Sequence, residues 1–188
     1  MSQAIKETFR KIVTLQDGAR LLLRPLVPAD VDELLQLYAA VQSEDILWLH
    51  HKYTDLDVIR SWSNGLDYSQ VLPLLAVLDH RIVGDATLLR RSGPYQHIAD
   101  VSVFLARDYR SRGLGTEMLK TLIELARRAG LHWLYAEIFA SQPKVVRAFE
   151  SVGFEQKCVL EDFFMLPGGQ TEDVVVVLNQ LLKPNGEF

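Results

Sequence analysis

One cysteine, Cys158, stands in 188 residues, so no disulfide can close within the chain and no cysteine-rich metal site can be assembled. Such sparing use of cysteine fits a reducing compartment. Positive charge is also short: 20 Lys and Arg against 24 Asp and Glu leave a formal charge of -4, which excludes an overall basic field for nucleic acid or anionic lipid. Any basic site must be local. No segment reaches the ~18 apolar residues of a membrane span, and the opening MSQAIKETFRK lacks a signal-peptide core. The five histidines are not spaced as a ligand set, so no metal is expected. The Walker phosphate loop and the G-x-G-x-x-G dinucleotide fingerprint are both missing, which argues against ordinary nucleotide hydrolysis and NAD binding. The expectation is a cytoplasmic protein with no nucleic-acid or membrane partner, compatible with a homodimer.

What is present suffices for a core. Hydrophobic residues make up 48% and charged residues 23%, the balance of a globular chain, and no linker or repeat divides residues 1–188 into more than one domain. Asp17-Gly18 between Ile12–Leu15 and Arg20–Arg24 predicts a hairpin. Pro28-Ala29-Asp30 opens a helix with Val31, Leu34, Leu35 and Tyr38 on one face. A short helix is expected over Asp55–Trp62. Strands follow at Leu74–Leu78, Ile82–Leu89 and His97–Leu105, and a helix at Leu114–Ala126 stops at Gly130. A strand at Trp133–Phe139, a helix from Pro143 to about Val152, a strand near Phe154–Leu160 and a last strand at Thr171–Leu178 complete the chain. The layout is an α/β (α+β) domain: antiparallel strands first, then a strand, helix, strand crossover over residues 97–139.

The segment DYRSRGLGTEML, residues 108–119, sets bare backbone and two cations at the mouth of the central helix. A helix N-terminus exposes unpaired N–H groups and a partial positive charge, which together receive phosphate. Gly113 and Gly115 keep side chains away from that backbone, and Arg110 and Arg112 add charge beside it. The segment reads as a pyrophosphate site.

Residues 99–115, ADVSVFLARDYRSRGLG, and 134–154, LYAEIFASQPKVVRAFESVGF, resemble the central motifs of the GNAT superfamily of acyl-CoA N-acyltransferases. The first carries R-x-x-G-x-G at Arg110, Gly113 and Gly115; the second ends in Gly153-Phe154. With LLLRPLVPAD resembling the family's first strand and helix, the likeness spans most of the chain. It implies a mixed, mainly antiparallel sheet of about six to seven strands with about four helices and a splayed strand pair that binds cofactor. Acetyl-CoA, or another short acyl-CoA, is the implied co-substrate. Its pantetheine arm would pair with Val103, Phe104 and Leu105, while Arg110, Ser111, Arg112, Gly113, Leu114, Gly115 and Thr116 wrap its pyrophosphate. Gln142 stands where the family often has an asparagine.

Transfer to an amine needs a neutral nitrogen, and a lysine of pKa ~10.4 pays roughly 4 to 5 kcal/mol for that at pH 7. A general base relieves part of it. On the alternating strand Asp100 shares a face with Ser102 and Phe104. Ungapped alignment through the glycine block sets it where Pat-type protein lysine acetyltransferases carry a glutamate base. Glu137, on the neighbouring strand, is the reserve base. The tyrosine many relatives use to protonate the departing thiolate is replaced by Phe149, as it tends to be in Pat-like domains. Cys158 reads as a packed thiol and His97 as a structural residue. His50 and His51, beside Trp48 and Tyr53, lie in the region that resembles the acceptor side. Two readings follow: an N-acetyltransferase acting on a primary amine, from protein lysine to small amine, by direct attack in a ternary complex, or a catalytically silent acyl-CoA-binding sensor.

Overall fold

The Asp-Gly turn closes as its chemistry dictates. Gly18 takes a φ of 84°, the Leu15 N–H donates to the Ala19 carbonyl, and Asp17 accepts from the Ala19 N–H. This joins β1 (Lys11–Thr14) to β2 (Arg20–Pro25) in antiparallel register. The structure is a computed structural model that describes residues 8–39, 56–166 and 168–182. His50, His51, Trp48, Tyr53 and Asp55 lie outside the described residues.

A 3-10 turn at Pro28–Asp30 leads into α1 (Val31–Ala39), whose Val31, Leu34, Leu37 and Tyr38 are buried. Asp30 holds this entry in place. Its carboxylate accepts from Arg24 at 2.5 and 2.7 Å and from the Val27 N–H at 2.8 Å. The short helix expected next is α2 (Leu56–Ser61), continued by a 3-10 turn to Asn64. Then come β3 (Val71–Leu78), β4 (Arg81–Arg90), β5 (Ile98–Leu105), α3 (Leu114–Arg128), β6 (Trp133–Phe139), α4 (Pro143–Glu150), β7 (Glu155–Met165) and β8 (Thr171–Gln180).

Among the described residues the sheet has eight strands in the order β1-β2-β3-β4-β5-β6-β8-β7, one or two more than the family likeness implied. The four residues of β1 extend it by pairing with β2 alone. Every neighbouring pair is antiparallel except β5 and β6, which the α3 crossover makes parallel.

α3 is amphipathic as its spacing requires. Leu114, Met118, Leu119, Leu122, Leu125 and Ala126 are buried toward β3, β4 and β5, each large side chain contributing roughly 1.5 to 3 kcal/mol. Gly130, at φ 71°, ends it. α1 packs against β4 from the opposite face, so the sheet lies between the two helices. α4 sits beside α3 and against β7 and β8. Its end explains the Gly-Phe pair: Gly153 adopts φ 98°, its N–H donates to the Glu150 carbonyl, and Phe154 turns in to meet Phe149 edge-on at 4.9 Å.

One expectation fails at the far edge. Cys158 is exposed and not packed, because β7 is the last strand of the sheet and most of its side chains face solvent. The strand also runs past Leu160 to Met165, with irregular register near Lys157 and Asp162, a device that discourages further edge pairing.

Candidate active site

Pairing between β5 and β6 is brief. Ile98, Ala99 and Asp100 lie opposite Trp133, Leu134 and Tyr135, and there it stops, although β5 continues to Leu105 and β6 to Phe139. Beyond that point the strands diverge and leave one edge of β5 without a strand partner. A cavity of about 700 Å³ lies between the end of β5, the mouth of α3 and the first turns of α4, within the usual ~300–1,000 Å³ of ligand sites.

The sequence-derived cofactor residues largely converge here. Val103, Phe104 and Leu105 form the strand wall, while Arg110, Ser111, Gly113, Gly115 and Thr116 form the loop and helix mouth. Gln142 closes the opposite side with Ser141, Pro143 and Lys144. The loop conformation demands its glycine: Gly113 caps α3 in the left-handed region at φ 87°, and Ser111 precedes it at φ 58°. Arg110 is held by donation from Nε to the Leu105 carbonyl at 3.1 Å, with its guanidinium 5.9 Å from the Phe104 ring centroid.

Two of the expected contacts lie elsewhere. Arg112 turns out of the cavity: its Nε donates to Asp17 at 2.6 Å, its Nη1 to the Asp108 carbonyl at 3.2 Å, and its guanidinium stacks 4.8 Å over Tyr109. Extended approach to the helix puts neighbouring arginines on opposite sides, and the β1–β2 turn claims this one. Leu114 is fully buried, so its backbone alone belongs to the helix mouth.

Phe149 is 4% exposed and lines the cavity where a tyrosine acid would stand. Its wall is apolar, with Leu119, Val145 and Ala148 beside it. These residues fit an acyl-pantetheine diphosphate in three respects. A strand edge offers main-chain donors and acceptors, the helix mouth and Arg110 offer positive potential, and the wall offers apolar surface. Among the described residues no group of three or more His, Cys, Asp or Glu side chains is arranged to hold a metal.

The two candidate bases occupy the other face of the same strands. Asp100 stands at the last β5–β6 pair, with a side chain 15% exposed; Arg91 donates to it from Nε at 2.8 Å and lies 2.5 Å away through Nη2. Glu137, two residues along β6 from the paired Tyr135, accepts from the Tyr135 hydroxyl at 2.5 Å. Burial, reinforced by Glu137, raises the Tyr135 hydroxyl well above the ordinary tyrosine range, so it stays a neutral donor. His97 stacks against His132 at 5.6 Å, just before β5 begins.

A buried carboxylate on this face gives a weak sequence signal. Asp85 interrupts the apolar run IVGDATLL of β4 and is 3% exposed. Tyr38 donates to it at 2.8 Å and Thr87 at 3.1 Å, and burial pushes its carboxyl up to about 6 against those bonds. Tyr38 also packs on Phe104, ring centroids 5.1 Å apart, which connects this pair to the cavity wall. Arg91 lies outside both motif blocks, and Tyr135, though inside the 134–154 block, is not among the candidate residues that block suggested.

Comparison with known proteins agrees with this geometry. The family described as "Acetyltransferase (GNAT) domain" matches residues 20–155. The ribosomal protein bS18-alanine N-acetyltransferase of Escherichia coli is 27% identical over 71 residues, 38% of this chain and 48% of that enzyme. The chain thus spans about half the length of that relative. An L-methionine sulfoximine/L-methionine sulfone acetyltransferase of Pseudomonas paraeruginosa is 29% identical over 132 residues, covering 68% of this chain and 76% of its own. In fold, the GNAT domain of S. lividans PAT superposes with a TM-score of 0.75 at 19% identity, over 91% of this chain and 96% of its own. The Salmonella typhimurium protein yncA, solved with its cofactor acetyl-CoA, gives 0.77 at 20% identity over 90% and 99%.

Proposed function

The chain belongs to the GNAT acetyltransferase family, and from that premise we propose that it transfers an acetyl group from acetyl-CoA to a primary amine by direct attack in a ternary complex. One observation supports the reading: β5–β6 pairing ends at Asp100 and Tyr135, immediately before the stretch of β5 whose Val103, Phe104 and Leu105 line the cavity.

Acetyl-CoA supplies an activated thioester. The chain's part is to grip and align it. The α3 mouth and Arg110 receive the diphosphate, and the free edge of β5 takes up the extended arm, which directs the acyl end toward the β5–β6 divergence. The amine arrives from the α1 face, where Asp100 and Glu137 favour a cationic acceptor. Its ammonium first gives one proton to solvent, and the neutral nitrogen then forms the new bond to the carbonyl carbon as the carbon–sulfur bond breaks. Asp100 takes the surplus amine proton, through one water because aspartate is a methylene short. With Phe149 in the wall, the thiolate departs without a side-chain acid; a thiol of pKa ~8.5 makes that tolerable near neutrality.

Asp100→Asn keeps the shape and loses the proton acceptor. The amine-transfer rate should fall about 100-fold at pH 7.5 while acetyl-CoA affinity by calorimetry stays within about twofold. An unaltered rate ends the assignment. Acetyl-CoA binding with no thiol release against any of a panel of lysine peptides, polyamines and small amines would favour the silent sensor.

A further inference from the structure

Both candidate carboxylates are held, and their holders touch each other. Arg91, just past β4, reaches Asp100 on β5 with Nε and Nη2. The same guanidinium lies 4.5 Å over the ring of Tyr135 on β6, and the Tyr135 hydroxyl donates to Glu137. The order in space is Asp100, Arg91, Tyr135, Glu137. This array crosses the sheet at the β5–β6 divergence, on the face away from the cofactor cavity.

Such an arrangement has a geometric purpose. A carboxylate that takes a proton from an attacking amine must be aimed within a few tenths of an ångström, and an aspartate free to rotate about χ1 and χ2 is not. Nε and Nη2 of Arg91 converge on one oxygen of Asp100, Oδ1, which restrains that carboxylate, and the flat face of a guanidinium can stack on an aromatic ring at the same time. Tyr135 therefore braces Arg91 with its ring while orienting Glu137 with its hydroxyl. At 15% exposed, the Asp100 side chain is more buried than the acids of the surface ion pairs, such as Asp17 at 43%.

We propose that Arg91 and Tyr135 are positioning residues of the transfer reaction, Arg91 acting through Asp100 and Tyr135 through Glu137, with their stacking joining the two carboxylates into one array at the β5–β6 divergence. The inference rests on the transferase reading above, with Asp100 as proton acceptor.

Double-mutant kinetics tests it, with acetyl-CoA and whichever amine of the panel supports turnover, at pH 9 so that weak variants stay measurable. Arg91→Ala should lower kcat about tenfold and leave KM for acetyl-CoA within about twofold, and Arg91→Lys should recover part of the loss. In an Asp100→Asn background, Arg91→Ala should change kcat by less than about twofold, because its route of action is already gone. Tyr135→Phe keeps the ring under Arg91 and should cost about threefold, an effect that vanishes in Glu137→Gln. Equal losses with and without Asp100, or full activity of Arg91→Ala, would overturn the proposal. Should Arg91→Ala fail to fold by circular dichroism, Arg91→Lys and Arg91→Gln carry the same comparison. Full activity of Asp100→Asn would instead remove the parent reading and this proposal together, so the two failures are distinguishable.

Discussion

The two faces of β5 carry opposite chemistries. Toward α3 and α4 lie glycines, a helix mouth, Arg110 and an apolar wall; toward α1 lie Asp85, Asp100 and, on β6, Glu137, with tyrosines and one arginine between them. The first face is built mostly from backbone and can receive a polyanion. The second is built from side chains, and each of its carboxylates has a named donor. A transferase that brings an anionic carrier and a cationic amine to one carbonyl needs this separation, since the same field cannot attract both.

The cleft side should break most completely. Gly113→Asp forces a β-carbon into the left-handed region and sets a carboxylate where phosphate is to sit. Acetyl-CoA affinity measured by calorimetry should fall by at least about 100-fold. Retained binding would mean that the loop does not hold the diphosphate.

A subtler outcome is expected on the α1 side, where two buried carboxylates differ in sign. Burial alone would raise Asp30, but Arg24 and the Val27 N–H outweigh it and leave it below the ordinary range. Asp85 has only hydroxyl donors, and burial leaves it raised to about 6. A raised acid binds its proton more tightly folded than unfolded. Its folded form is therefore favoured at low pH, and stability is lost as pH rises from about 4 to about 6, a penalty on the order of 3 kcal/mol when complete. Asp85→Asn should raise the melting temperature at pH 7.5 by about 6 to 12 °C and flatten its slope between pH 4 and 6. A lower melting temperature at pH 7.5 would show that the charged form is well accommodated.

The smallest effect belongs to the contact between the β1–β2 turn and the phosphate loop. Asp17 sits below the ordinary carboxylate range, held there first by the Ala19 N–H and then by Arg112. It is exposed, so salt screens it. Asp17→Asn should release Arg112 and tighten acetyl-CoA by less than about threefold at low salt, with the gain disappearing near 0.5 M. A loss of affinity would instead make the turn a structural support for the loop.

These differences track how each part was encoded. The loop side of the cleft is written in one contiguous stretch: Gly113 and Gly115 declare the left-handed cap and bare backbone, and the periodicity from Leu114 onward declares the helix behind them. Nine of the eleven cofactor candidates line the cavity, Val103, Phe104, Leu105 and Gln142 among them on the strength of the family likeness. Arg112 and Leu114 depart because a local motif cannot say which way an arginine turns or which backbone donor carries a buried side chain. Cys158 was misjudged on similar grounds, since its neighbours in sequence do not reveal that β7 is an edge. Asp85 left a trace as one charge in an apolar strand. Arg91 left none, and Tyr135 stood unmarked inside the 134–154 motif.

Hydrophobic periodicity, turn residues and helix caps are short-range properties, so the amino-acid order alone specified the succession of strands and helices and the glycine-rich loop at the mouth of α3. The extent of β5–β6 pairing and the meetings of Asp100 with Arg91 and of Asp85 with Tyr38 depend on residues 9 and 47 positions apart in the chain coming together across strands and a helix. No local rule encodes those meetings; the packing of β4, β5, β6 and α1 against one another decides them.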